Sequence, residues 1–259
     1  KMNIIIAGGT GFIGRALVKK LKNQHEITII SRGNLKDKDH LNSHSILNWN
    51  TLQETAKELL QKTDVIINLC GANIGEKRWS KKRKKIIQDS RIIPTHTIMQ
   101  LCKQHNIKPT VIHANGIGIY GTSEPTQQQP FTEDTNLHLE TEDFITQLAQ
   151  KWEHVAYSNA QHQQRVVTLR QAVVCDPSGG AIKKMSLPFK LGLGGRIGRG
   201  NQPFPWISLN DVVRAIEFII NNPSIHGPVN LIAPNSITQK EFAQAYAKFL
   251  WRPAFIPMP

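Results

Sequence analysis

Seven residues near the start of the chain, Gly8-Gly9-Thr10-Gly11-Phe12-Ile13-Gly14, stand between an apolar run (2–7) and a segment whose apolar residues recur at helical spacing. At such a strand-to-helix turn each glycine has a task. Gly8 permits the tight turn, Gly11 lets the backbone approach a pyrophosphate, and Gly14 lets helix and strand pack closely. The helix N-terminus then offers N–H groups and a partial positive charge to phosphates. A triphosphate loop shares the Gly9-x4-Gly14 spacing, but it requires Lys-Ser/Thr next, and Arg15-Ala16 follow here. The pattern points to a dinucleotide.

The end of the second strand selects between dinucleotides. Enzymes that use NAD place Asp or Glu there, to accept hydrogen bonds from the ribose 2′-hydroxyl. This chain has Ser31-Arg32. A carboxylate would repel a 2′-phosphate, whereas a guanidinium pairs with it and a serine hydroxyl adds a donor. The expected cofactor is NADP(H), the competing reading of Arg32 being a solvated loop residue.

The elements that must hold these residues alternate. Strands are expected at 2–7, 26–31, 45–49, 64–70, 110–114 and 165–174, and helices at 12–23, 79–104 (interrupted or kinked near Pro94) and 141–158. Strands alternating with helices mean βαβ units and a parallel sheet. Past residue 177 Pro and Gly punctuate the chain to 205, followed by helix (209–221), strand (228–232) and helix (238–250). The expected class is α/β, a Rossmann doubly wound parallel sheet with a smaller C-terminal substrate lobe. Residues 1–176 form the NADP-binding domain, and 177–259 form the lobe over the cofactor site, part of it returning to the sheet.

Composition narrows the class. The hydrophobic fraction of 39% and charged fraction of 20% are those of an ordinary globular chain. No apolar run approaches the roughly 18 residues of a membrane span, and residues 2–7 run straight into a strand without a basic leader. The three cysteines, Cys70, Cys102 and Cys175, are too far apart for a disulfide framework, which suits a reducing cytoplasm. Cys70 and Cys175 end apolar runs and are expected to be buried. There is no HExxH among the ten histidines, and His40 and His44 fall in a polar stretch, so no zinc site is expected. The net charge is +13, and residues 76–91 hold eight Lys/Arg against Glu76 and Asp89, or +6. Such a run is more often a solvated helix face than a nucleic-acid surface.

These residues resemble the extended, atypical short-chain dehydrogenase/reductase superfamily, in its branch of NAD-dependent epimerase/dehydratase-like proteins with unassigned substrates. The matching stretches span the chain: GGTGFIG at 8–14, SR at 31–32, NLCGANIGEKRWSKKRKKIIQDSR at 68–91, IGIYG at 117–121, FTED at 131–134, KWE at 151–153, LRQAVV at 169–174, LPFKLGLGGRIGRG at 187–200, PWISLNDVVRAI at 205–216 and GPVNLIAP at 227–234. The resemblance implies that Leu69, Cys70 and Gly71 line the cofactor, that Arg91 reaches it from the next helix, and that Val174 lies near the nicotinamide. It also implies that the basic segment lies partly beside the cofactor phosphates, and that the chain continues beyond Pro259.

One family feature is missing. Typical members carry Tyr-x-x-x-Lys after the fifth strand, the tyrosine as general acid/base and the lysine lowering its pKa. Here Glu124, Gln161 and Leu250 lie four residues beyond Tyr120, Tyr157 and Tyr246, and Asn115 falls where a serine is usual. A substitute acid/base would come from Tyr120, His113 or Glu133. The resulting expectation is an NADP(H)-binding oxidoreductase or epimerase-like protein with a small-molecule substrate, whose loop at 192–200 offers Arg196 and Arg199 to an acidic group or is a plain flexible loop. The alternative is a non-catalytic, redox-sensing module.

Overall fold

The computed structural model describes residues 1–32, 45–122, 129–137 and 140–254. His40 and His44, two of the three glutamines at 127–129, and Pro259 lie outside the described residues.

The first strand, β1 (Asn3–Ala7), is apolar on both faces, as a strand covered by helices on each side must be. Helix α1 (Phe12–Leu21) follows, burying Gly14, Leu17, Val18 and Leu21 on one stripe. Then come β2 (Glu26–Ser31), β3 (Ser45–Asn48), α2 (Trp49–Gln61), β4 (Val65–Asn68), α3 (Lys81–Gln104) and β5 (Thr110–Gly116). A short 3-10 turn (Ile117–Tyr120) precedes α4 (Phe144–Ser158) and β6 (Val166–Gln171). The remainder is β7 (Val173–Asp176), α5 (Gly180–Lys190), β8 (Trp206–Ser208), α6 (Leu209–Asn221), β9 (Gly227–Leu231) and α7 (Gln239–Phe249).

Seven strands form one sheet in the order β3-β2-β1-β4-β5-β6-β9. The pairings from β3 to β5 are parallel. The order reverses between β1 and β4, the switch point at which a doubly wound sheet opens a crevice outside its carboxyl ends. The turn after β1 opens there.

Helices α2 and α5 and strand β8 were not anticipated. The amphipathic signal of α2 was available: Asn48 caps it through Thr51 N, and Leu52, Ala56 and Leu60 are buried four residues apart. Gly179, Gly180 and Pro188 hide α5 in a stretch that reads as loop. The single strand expected over 165–174 is two, because the backbone leaves the large sheet at Ala172. The Ala172 N–H donates to Leu231 O, and Val173 N donates to Pro205 O as β7 pairs with β8. Nor does Pro94 interrupt α3, which runs for 24 residues through it.

The chain divides into two compact units: Lys1–Arg170 with Val213–Asn230, and Gln171–Val212 with Leu231–Pro259. The first holds the glycine turn and the β4–α3 connection. The second holds the β7–β8 pair, with α5 and α7 in contact around Phe189, Ala243 and Ala247.

Candidate functional site

The turn after β1 is too tight for side chains. A Cβ on Gly14 would lie 2.3 Å from Gly8 O, and one on Gly9 would lie 2.9 Å from Cγ2 of Ile29. Gly8 adopts φ +80, a left-handed conformation that suits glycine, with the Leu69 backbone just past β4 at its back. Gly11 N donates to Gly8 O to close the turn. Gly11 is also the N-cap of α1, and no side chain caps that helix. Thr10, Phe12 and Ile13 are half-buried and Gly11 is exposed. An anion placed there meets main-chain donors and the positive end of the helix. These residues fit a dinucleotide pyrophosphate.

Ser31 ends β2 in register with Asn48, and Arg32 follows it, exposed. Leu69 and Cys70 lie just past β4, half-buried, and Gly71 is exposed. Cys70 was expected to be buried; it sits beyond the last paired residue of its strand and is half-buried, and Cys175 on β7 is half-buried as well. The Cys70 thiol is still pushed up to about 12 by burial, against the pull of Arg32, so it stays protonated at neutral pH. Cys102, in α3, is the buried one.

Arg91 is buried under the β4–α3 connection. Its Nη1 donates to Ala72 O at 3.1 Å and to Ile87 O at 3.0 Å, and a Cβ on Gly71 would lie 3.0 Å from its Cζ. Its guanidinium lies over the Trp152 ring at 5.3 Å. Burial, and then the charge of Arg83, lower its pKa to about 10.

The acid/base candidates separate into two places. His113, at 1% exposure, stacks no polar chemistry toward solvent: Nδ1 faces Asn68 Nδ2 and Nε2 faces Met99 Sδ. Burial pulls its pKa down to about 3. Tyr120 and Glu133, by contrast, meet in one cluster. Tyr120 Oη donates to Asn230 Oδ1 at 2.7 Å and accepts from Arg170 Nη1 at 2.8 Å; Glu133 Oε1 accepts from Asn230 N. Arg170 is paired with the buried Glu153 at 2.6 Å. Asn115 also donates to Glu153. Asn68, which sequence reasoning passed over, orients the turn after β4 by accepting from Cys70 N. Its place as the last residue of an apolar strand was the available signal.

In the second unit Val174 lies on β7, half-buried and in register with Ile207 of β8. The 192–200 segment is an anchored turn. Gly192, Gly198 and Gly200 have positive φ, Arg196 Nη1 donates to Gly198 O, and Ile197 N donates to Oε1 of Gln239. Arg199 is exposed.

Among the described residues no helix is long and apolar enough to cross a membrane. The chain is 36% identical over 258 residues to an epimerase family protein of Mycobacterium bovis, covering 99% of this chain and 81% of that one. It is 36% identical to the epimerase family protein YfhF of Bacillus subtilis, covering 100% and 83%. Its fold matches that of the human epimerase family protein SDR39U1, solved with NADPH, at a TM-score of 0.82 and 32% identity, over 100% of this chain and 83% of that one. The model of the NAD dependent epimerase/dehydratase family matches residues 4–231. With the glycine turn at the switch point of a doubly wound sheet, these likenesses make the chain a member of that family.

Proposed function

We propose that the chain binds NADP(H) and works as an oxidoreductase or epimerase-like enzyme on a small-molecule substrate. The observation that carries the cofactor is Arg32, exposed one residue past β2 where a 2′-hydroxyl reader would bear a carboxylate. Gly8, Thr10, Gly11, Phe12, Ile13 and Gly14 would hold the pyrophosphate, and Ser31 and Arg32 the 2′-phosphate. Leu69, Cys70, Gly71, Arg91 and Val174 would line the remainder. The NADPH bound by human SDR39U1 supports this choice. The bound cofactor would supply hydride chemistry. On the protein's side Tyr120 is the best proton carrier available, since its phenol already exchanges hydrogen bonds with Arg170 and Asn230.

A redox-sensing role without catalysis is the second reading. It is favoured by Asn115, which donates to Ala149 O and Glu153 in place of a serine beside a tyrosine-lysine pair.

Calorimetric titration with NADPH, NADP⁺, NADH and NAD⁺, repeated on Arg32→Ala, tests the reading. The expected result is a preference for the 2′-phosphorylated pair that the variant loses. Equal binding of all four by the wild type would refute the NADP(H) assignment. Turnover of carbonyl and sugar substrates separates the enzyme from the sensor, and equal affinity for NADP⁺ and NADPH would exclude sensing, because a ligand shifts an equilibrium only by differential binding.

A further inference from the structure

Arg83 lies in the first turn of α3, with its side chain only 11% exposed. Its Nη2 donates to Asn73 O and, at 2.8 Å, to Oε2 of Glu76. Its Nε is buried and meets no acceptor. The carboxylate thus engages one nitrogen of a fork built to hold two oxygens side by side. Two turns along the same helix, Arg91 is buried, and its Nη1 is bonded to neutral carbonyls. Glu76, the acid paired with Arg83, is 55% exposed. One half-buried and one buried cation beside one exposed carboxylate leave this region short of negative charge, which is costly away from water. The helix adds to the imbalance: Lys81, Lys82 and Arg83 occupy its positive end, and its first turn contains no acid.

The missing charge has a limited number of sources. The glycine turn supplies its own donors for a pyrophosphate, and Arg32 stands ready for a 2′-phosphate. Arg83 is left over. It is tied to Asn73, on the connection that leaves the carboxyl end of β4, the edge at which ligands of such sheets bind.

We propose that Arg83 exchanges Glu76 for an oxyanion of the substrate, a carboxylate or phosphate held across Nε and Nη2, so that the substrate class is an anionic small molecule. This rests on the site assigned above. Glu76 then serves as an internal stand-in that keeps Arg83 extended and neutralised until substrate arrives.

The test uses the whole chain saturated with NADPH. Inorganic phosphate and acetate are titrated against chloride at constant ionic strength, followed by calorimetry and thermal midpoint, in the wild type, Arg83→Gln and Glu76→Gln. The expected result is an oxyanion response lost in Arg83→Gln and strengthened several-fold in Glu76→Gln, which removes the internal competitor. The stronger of the phosphate and acetate responses names the group. An oxyanion response that Glu76→Gln leaves unchanged or weakens would reduce Arg83–Glu76 to a structural ion pair, and this arm decides the matter even where Arg83→Gln fails to fold. NADPH affinity is measured on the same samples. Its absence with the oxyanion response intact would sink the cofactor reading alone, and the reverse would sink the oxyanion site alone.

Discussion

His113 Nδ1 accepts from Asn68 Nδ2, which leaves the proton on Nε2, toward the Met99 sulfur. The ring is neutral, and burial has moved its pKa from 6.5 to about 3. The sign of the linkage follows. Between those values the unfolded chain binds a proton that the native state does not. Stability from this group is therefore complete above pH 6.5 and declines as the pH falls toward 3, by up to about 1.4 kcal/mol per pH unit. Urea unfolding of wild type and His113→Gln at pH 7, 5.5 and 4.5 should show the difference between them shrinking at about that rate, whereas a constant difference would mean the ring is not held neutral. This also shows why the site was read unevenly. The glycine turn and Arg32 are local patterns, decided by neighbours in the chain. Whether His113 or Tyr120 meets a ligand depends on residues 45 and 110 positions away, Asn68 and Asn230, and no spacing rule reaches that far.

Helix α3 survives Pro94 for a reason found outside the helix. Proline removes one N–H bond and crowds the preceding turn. The next residue, Thr95, is fixed from three sides: its Oγ1 donates to Arg91 O and accepts from Asn68 Nδ2 and Trp152 Nε1. One hydroxyl thereby joins β4, α3 and α4. Thr95→Val keeps the shape but strands two buried donors, at about 1–3 kcal/mol each. Chemical denaturation should show a loss of about 2–6 kcal/mol; a loss below about 1 would mean that the donors find other acceptors. Elements whose stability is local, such as α1 and α6, were readable from periodicity. Strand β7 was not: Val173 continues the apolar run of β6, and only the pairing with Trp206, 33 residues on, turns it into a second sheet. The same limit hid β8, three residues long.

The charge of the chain is as unevenly placed as its patterns. Of the +13 total, +6 falls between residues 76 and 91, and Lys81 and Lys82 open α3 where its dipole is already positive. That segment begins just past the carboxyl end of β4, so its field spreads over the edge where an anionic dinucleotide must arrive. Lys77, Lys81 and Lys82 are exposed, and such charges are screened beyond about 10 Å at 0.1 M salt. Their effect belongs to encounter more than to residence. Stopped-flow measurement of NADPH association should give a rate that falls about tenfold from about 0.02 to 0.3 M salt, while the dissociation rate changes much less. In Lys77→Gln/Lys81→Gln/Lys82→Gln the low-salt rate should drop toward the high-salt one, with affinity at high salt retained. An association rate indifferent to both salt and the triple substitution would mean that the basic run is a solvated helix face and plays no part in the cofactor's encounter.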